Sequence, residues 1–258
     1  MDKIDYIKAL IGYRLTQADI RTCREVKHVA TNRAFAEMVK LEEIDSQDLF
    51  NRIHGCFEEA SHSRPYHDWY HTCCVVECTI LGLRYYLRTN LDELTETQVN
   101  STIIAAAFHD VGHAGVREPD IVNVSRSIII AHHFLEGLSI HDKGASSDAV
   151  DVPFMLETMQ STQYPFKREP LNECQATLRD ADLLQILEPT WFDDIYCNMY
   201  QEFLEGNPTL DFKDFCMNEK SFITNAKFYS VWFREQMQKE FSDVALSRVD
   251  QVAVAVRN

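Results

Sequence analysis

Three of the ten histidines stand where solvation and packing explain them poorly. His67 and His71 are four residues apart in Tyr66-His67-Asp68-Trp69-Tyr70-His71, and on a helix that spacing puts both imidazoles on one face. His109-Asp110 ends the apolar run Ala105-Ala106-Ala107-Phe108 and is followed by Val111-Gly112-His113. A His-Asp doublet inside apolar text is costly unless something pairs with it. A divalent cation would do so, because imidazole nitrogen and carboxylate oxygen suit zinc, iron or manganese. A further acidic pair, Asp180 and Asp182, sits in Leu178-Arg179-Asp180-Ala181-Asp182-Leu183. On a helix these two point about 200° apart, so only one can reach a shared site. Both are flanked by apolar residues, and amphipathicity does not choose between them.

The elements that must position these groups are helical almost throughout. Apolar residues recur at helical spacing over residues 16–40, with Ile20, Cys23, Val26, Val29 and Ala30 on one stripe. Further helices are expected from Asp45 to Ser61, over 66–87, 122–138, 152–162, 171–187 and 189–203, and from Asp214 to Phe241. Thr95 and Gln98 fit a capping box, which starts a helix through the three alanines. Loops are expected at 62–65, 90–97 and 141–151, and in the tail 242–258 the alternating Val and Ala from Val249 to Asn258 read as loose or as a short appendage. With no internal repeat or linker, residues 1–258 read as one all-α, compact multi-helix domain. Residues 1–60 form its N-terminal helices and 65–235 its motif-bearing core.

Composition narrows the function. A net charge of −15 makes the chain a poor general binder of nucleic acid. Residues 1–40 run the other way, with eight Lys/Arg against five Asp/Glu, and are expected to cover part of an acidic body. No run of 18 apolar residues exists, so no membrane span is expected. The start of the chain does not read as a secretory signal. The eight cysteines form no CxxC and read as reduced, small hydrophobes of a cytoplasmic protein.

The order His71, His109-Asp110, Asp182 resembles the H…HD…D pattern of the HD-domain metal-dependent phosphohydrolases. Within that superfamily the text most resembles the catalytic domain of the class I (3′,5′-) cyclic nucleotide phosphodiesterases. Pro65-Tyr66-His67-Asp68-Trp69-Tyr70-His71 is similar to their PYHNxxH. His109-Asp110-Val111-Gly112-His113-Ala114-Gly115 is similar to HDxxHxG, Ala181-Asp182-Leu183 to ADL, and Ala131-His132-His133 to a later histidine pair. Ser221-Phe222-Ile223 through Trp232 resembles the family's closing helix.

The resemblance implies an HD/phosphodiesterase-like fold and two divalent metals. His71, His109, Asp110 and Asp182 would hold the first (zinc, or manganese or iron). Asp110 would bridge to a second, magnesium or manganese. His67 would be the general acid that protonates the leaving 3′ oxygen, with Asp68 or a nearby carboxylate orienting it, and His113 would sit near the second metal and the phosphate. Hydroxide held between the metals would attack phosphorus and open the cyclic nucleotide, cAMP or cGMP in the usual case, to a 5′-monophosphate.

Departures are visible. The family's HAxDV is His71-Thr72-Cys73-Cys74-Val75 here, and the family's purine-reading glutamine has no clear counterpart. With Phe222 aligned to the family's phenylalanine, Glu219 falls at that glutamine. An ionised glutamate would accept from guanine N1–H and N2–H₂ and repel adenine N1. Tyr66, Glu219 and Phe222 are thus the candidate substrate contacts. The rival readings are an HD-type nucleotide phosphomonohydrolase, a catalytically silent nucleotide-binding module, and a di-iron oxygenase that would recruit His132 or His133.

Overall fold

The computed structural model describes residues 3–41, 44–60, 64–90, 94–141 and 149–257. The chain folds as α1 (Lys3–Leu10), α2 (Gln17–Met38), α3 (Ser46–Ala60), α4 (Trp69–Thr89), α5 (Glu96–Phe108), α6 (Asp120–His141), α7 (Val152–Gln160) and α8 (Glu173–Asp182). A π-helical stretch, Phe192–Met199, runs into α9 (Tyr200–Gly206), and α10 (Phe212–Asn225) follows. The last helical run contains α11 (Gln238–Glu240) and α12 (Leu246–Ala255), each preceded by a π-turn. Of the loops expected at 62–65, 90–97 and 141–151, residues 62–63, 91–93 and 142–148 lie outside the described residues, and Glu96 and Thr97 already belong to α5.

Helix α5 is the axis of the molecule. Ten consecutive residues, Val99 to Phe108, are buried, and the small side chains of Ala105, Ala106 and Ala107 let neighbouring backbones come close. The expected Thr95–Gln98 capping box starts it: each side chain accepts the other residue's backbone N–H. Helices α4, α5 and α8 pack on one another, which brings the start of α4 to the ends of α5 and α8.

The basic N-terminal segment does cover an acidic body. Arg24 of α2 pairs with Asp68 and, at 2.7 Å, with Asp194. Lys27 reaches Glu77 (2.6 Å) and Glu188 (2.8 Å), and Lys8 of α1 reaches Asp193 (2.6 Å). These pairs are partly desolvated, so they outweigh ordinary surface pairs.

Three expectations fail. The α2 stripe faces the core only at Ile20, which is buried as Thr31 and Phe35 are; Val26 and Val29 are 61% and 67% exposed. The ion pairs of Arg24 and Lys27 rotate the helix so that its polar side meets the acidic body. Nor is the C-terminal tail loose, because α12 packs on α10 and buries Val249, Val252, Ala253 and Ala255. The alternating Val and Ala residues there are a helical core face. The helix expected over 214–241 instead breaks between Asn225 and Val231. Trp191, Phe192 and Trp232 belong to one buried core cluster, and Phe228, in the break, packs against it.

Candidate metal centre and catalytic cleft

The polypeptide reaches His71 through a capped turn. Asp68 caps α4, accepting the His71 backbone N–H at 2.9 Å, so α4 starts at Trp69 and His67 lies in the turn before it. His67 and His71 therefore do not share a helical face. Their rings stand edge to face, 6.0 Å apart. Asp68, occupied by this cap and by Arg24, does not orient His67.

His109 and Asp110 leave the end of α5 in a turn that two glycines make possible. Gly112 and Gly115 adopt φ of +79° and +70°, the left-handed region that a side chain disfavours. Asn123 of α6 pins this turn: its Oδ1 accepts the Ala114 N–H and its Nδ2 donates to the Gly115 carbonyl, both at 3.0 Å. Glu118 pairs with Arg126 on the same helix.

Four groups converge: His71, His109, Asp110 and Asp182. His71 Nε2 lies 3.3 Å from Asp110 Oδ2 and 3.1 Å from Asp182 Oδ1. His109 Nε2 is 3.1 Å from Asp110 Oδ2, 3.5 Å from Asp182 Oδ1 and 3.4 Å from His71 Nε2. The far ring nitrogens set the tautomers. His109 Nδ1 faces the Ala106 carbonyl at 2.8 Å, and His71 Nδ1 faces Gln185 Oε1 at 2.5 Å. Gln185 in turn hydrogen-bonds the Asp194 carboxylate, which leaves its oxygen for His71. Each Nδ1–H is thereby donated, and each Nε2 lone pair points inward.

Two imidazole lone pairs and two carboxylates thus meet in a buried space with no donor among them. Only positive charge satisfies that set. That charge can come as protons: burial opposes an imidazolium at His71, yet the facing carboxylates of Asp110 and Asp182 hold its pKa well above the usual histidine range. Asp110 and Asp182 are held below the ordinary carboxylate value, Asp182 at about 2, because the histidines outweigh the cost of burial. A divalent cation meets the same demand with the donor types such ions prefer, so the residues fit a metal.

The aspartates two apart are separated by function. Asp182 faces the cluster from the end of α8. Asp180 turns away and accepts the backbone N–H groups of Tyr229 (3.0 Å) and Ser230 (2.7 Å), which caps the last helical run. Its carboxyl is pushed up to about 6 by burial.

Beside the four groups stands a second set, His67, His113 and Glu202. The rings of His67 and His113 stack at 3.7 Å. Glu202 of α9 is fully buried, and its Oε2 lies 2.7 Å from His67 Nδ1. Its Oε1 accepts the backbone N–H groups of Tyr66 (2.8 Å) and His67 (2.9 Å). Burial alone would raise the Glu202 pKa, but the His67 charge and these bonds hold it down at about 2. Burial likewise works against charge on His67, and Glu202 more than offsets it, raising the His67 pKa. His113 accepts the Gly115 N–H at Nδ1 (2.9 Å) and turns Nε2 toward Asp120, 3.5 Å away. Burial and the nearby His67 lower its pKa.

Glu202 is the functional residue that spacing did not reveal. It lies 135 positions from His67 in the chain, in a helix with no motif around it. Gly115 makes room for it, since a Cβ there would lie 3.1 Å from Glu202 Oε2.

A cleft of about 760 Å³ opens over both sets, within the range of small-molecule sites. Tyr66, Glu219 and Phe222 line it together with His67, His71, Asp110, His113 and Asp182. Phe222 meets Tyr164 edge to face at 5.6 Å. Burial pushes the Glu219 carboxyl up to about 7, so at neutral pH it is not the fully ionised acceptor the sequence suggests. His132 and His133 do not join the cleft. They lie exposed on α6 beside Glu136, which removes the ligand that an oxygenase would need. The eight cysteines are free, and none joins a metal-competent cluster among the described residues.

A family profile described as 3′5′-cyclic nucleotide phosphodiesterase matches residues 66–139, the segment from Tyr66 through the His109-Asp110 turn to most of α6. No curated protein matches the chain. Among solved structures, the chain resembles the phosphodiesterase domain of the RhoPDE fusion protein of the choanoflagellate Salpingoeca rosetta. The TM-score is 0.63 at 16% identity, over 90% of this chain and 92% of that one. A second structure of the rhodopsin phosphodiesterase domain from the same organism gives 0.62 at 16% identity, over 100% and 92%. The chain has the all-α fold of the class I phosphodiesterase catalytic domain. No helix of the described residues is long and apolar enough to cross a membrane.

Proposed function

We propose that the chain is a metal-dependent phosphodiesterase of the class I type, within the wider HD superfamily, that hydrolyses the 3′ phosphodiester of a cyclic nucleotide to a 5′-monophosphate. The observation that carries this reading is the pairing of two unlike devices over one cleft. A donorless cluster of two imidazoles and two carboxylates stands beside an imidazole whose pKa a buried glutamate raises through a 2.7 Å contact.

His71, His109, Asp110 and Asp182 would hold the first metal (zinc, or manganese or iron), and Asp110 would reach a second, magnesium or manganese. Bound there, divalent cations activate water at neutral pH and neutralise charge growing on the phosphoryl oxygens. The chain's own residues do the rest. Water adding to phosphorus expels the 3′ oxygen, which leaves as an alcohol only if a proton reaches it. His67 supplies that proton from Nε2 while its Nδ1–H stays on Glu202. Glu202 fixes the ring through one short bond and fixes the turn through two backbone bonds. His113, neutral and stacked on His67, walls the acid from solvent. Gln185, tied to Asp194, keeps the His71 lone pair aimed at the metal.

Phe222 and Tyr66 offer apolar faces to a base. Glu219 accepts when ionised and donates when protonated, so its base preference follows pH near neutrality. Residues 1–258 act as one domain, with 65–235 carrying the chemistry. The eight free cysteines suit a reducing compartment, in keeping with a cytoplasmic enzyme.

The test is product analysis of the metal-supplemented protein against a panel of cyclic nucleotides, with Asp110→Ala as control. The expected product is the linear 5′-phosphate, absent in the control. Hydrolysis of phosphomonoesters alone would favour the phosphomonohydrolase. Stoichiometric binding without product would favour the silent module.

A further inference from the structure

A second cavity, of about 300 Å³, adjoins the catalytic cleft and shares Ile121, Gln163 and Lys167 with its wall. Its inner wall holds Arg179, only 3% exposed. A buried guanidinium normally faces a carboxylate, because an uncompensated charge is expensive to desolvate. Arg179 has no such partner among the described residues. Its Nε donates to the Ser161 carbonyl (2.7 Å) and its Nη1 to the Arg168 carbonyl (2.9 Å), both neutral. Its flat face lies 4.5 Å over the Phe166 ring. Nη2 makes no hydrogen bond among the described residues.

Two more cations stand at the mouth. The exposed side chains of Lys167 and Arg168 line the cavity and carry no ion pair among the described residues. In a chain of net charge −15, most basic residues near the core are taken by carboxylates, as Arg24 and Lys27 are. Glu157 and Glu169 also line the cavity. Tyr229, Asp180 and Glu169 act on Arg179 only through space, and the burial that lowers the Arg179 pKa outweighs them. Gln175 spends its Oε1 on the Leu171 N–H (3.0 Å), which leaves its amide N–H groups as donors. Forked N–H donors, a lysine and amide donors around a polar space match a tetrahedral oxyanion.

We infer that this cavity binds a phosphoryl group beside the catalytic cleft, with Arg179 at its floor and Lys167 and Arg168 at its mouth. Lys167 is the only lysine or arginine among the described residues lining the cleft, so it links the two spaces. The group is either a second phosphate of the substrate, a use that rests on the phosphodiesterase reading, or a free anion.

The test separates binding from turnover. Asp110→Ala protein, freed of metal with a chelator, is titrated with inorganic phosphate and with pyrophosphate by calorimetry at low ionic strength. Saturable one-site binding is expected, weakened about tenfold in a background that adds Arg168→Gln, which lines only this cavity. Circular dichroism checks the fold of each variant, and Arg168→Lys should restore part of the affinity. Absence of saturable binding, or equal affinity with and without Arg168→Gln, overturns the site whether or not the enzyme turns over any nucleotide. The source follows from kinetics of the otherwise native enzyme. If the phosphate belongs to the substrate, Arg168→Gln raises KM about tenfold for a cyclic dinucleotide and leaves a cyclic mononucleotide unchanged. If it is a free anion, inorganic phosphate shifts the KM of the cyclic mononucleotide in the native enzyme and not in Arg168→Gln.

Discussion

Glu202→Gln removes one negative charge and keeps the shape of the side chain. The amide oxygen can still accept the Tyr66 and His67 backbone N–H groups, so the turn before α4 keeps its bonds. What changes is the face toward His67. The glutamine N–H₂ would donate to Nδ1, which forces the neutral tautomer with its single proton on Nε2. A neutral imidazole is a far weaker acid than an imidazolium. The structure also sets the scale. Glu202 is held at about 2 against an ordinary 4.5, a gap worth roughly 3 kcal/mol of preference for its charged form, with His67 the leading favourable partner. Losing most of that interaction should cost about 10²-fold in kcat/KM on a cyclic nucleotide, within the range general acids contribute. The sign of the pH effect follows. His67 must be protonated to act, and Glu202 raises its pKa. Activity therefore falls on the alkaline side as pH rises through that raised value. In the variant, burial acts on His67 with only the more distant Asp110 charge against it, and the alkaline limb moves to lower pH. The assay is kcat/KM from pH 5 to 9 for a cyclic nucleotide and for a nitrophenyl phosphodiester, whose leaving group needs no proton. An unmoved alkaline limb, or equal losses on both substrates in a folded variant, would refute the acid assignment.

Gly115→Ala should cost about 1–2 kcal/mol in chemical denaturation, since a Cβ at φ +70° is strained and would press on Glu202 Oε2; its activity should fall with a displaced alkaline limb, as in Glu202→Gln. Gln185→Met takes the acceptor from His71 Nδ1 and should weaken metal affinity 10- to 100-fold by chelator competition, roughly the loss typical of such supporting residues. Glu219 has a raised pKa in the fold, about 7 against 4.5, so folding is most stable below the unfolded value and loses up to roughly 3 kcal/mol as pH rises from 4.5 through 7. Glu219→Gln should abolish that loss, so urea midpoints at pH 5 and pH 8 should differ less in the variant than in the native protein.

The legible parts of this protein were those encoded locally. Helical spacing and the capping box at Thr95 depend on residues three or four positions apart, which is why α5 starts where the text says. The two motifs around His71 and His109-Asp110 are short enough to read as chemistry before any fold is known. Long-range electrostatics and burial decided the rest. The stripe on α2 misled because Arg24 and Lys27 found carboxylates far along the chain and turned the valines outward. The tail became a helix because α10 offered an apolar face that tail periodicity cannot reveal. Asp180 and Asp182 are alike in sequence. Only the position of the last helical run, with two backbone N–H groups needing an acceptor, assigns one to a cap and leaves the other facing the histidines. Residue type and spacing determined which groups could bind a cation. Only tertiary packing could bring a glutamate 135 residues away to the acid, because no local rule connects two side chains that meet through the fold alone.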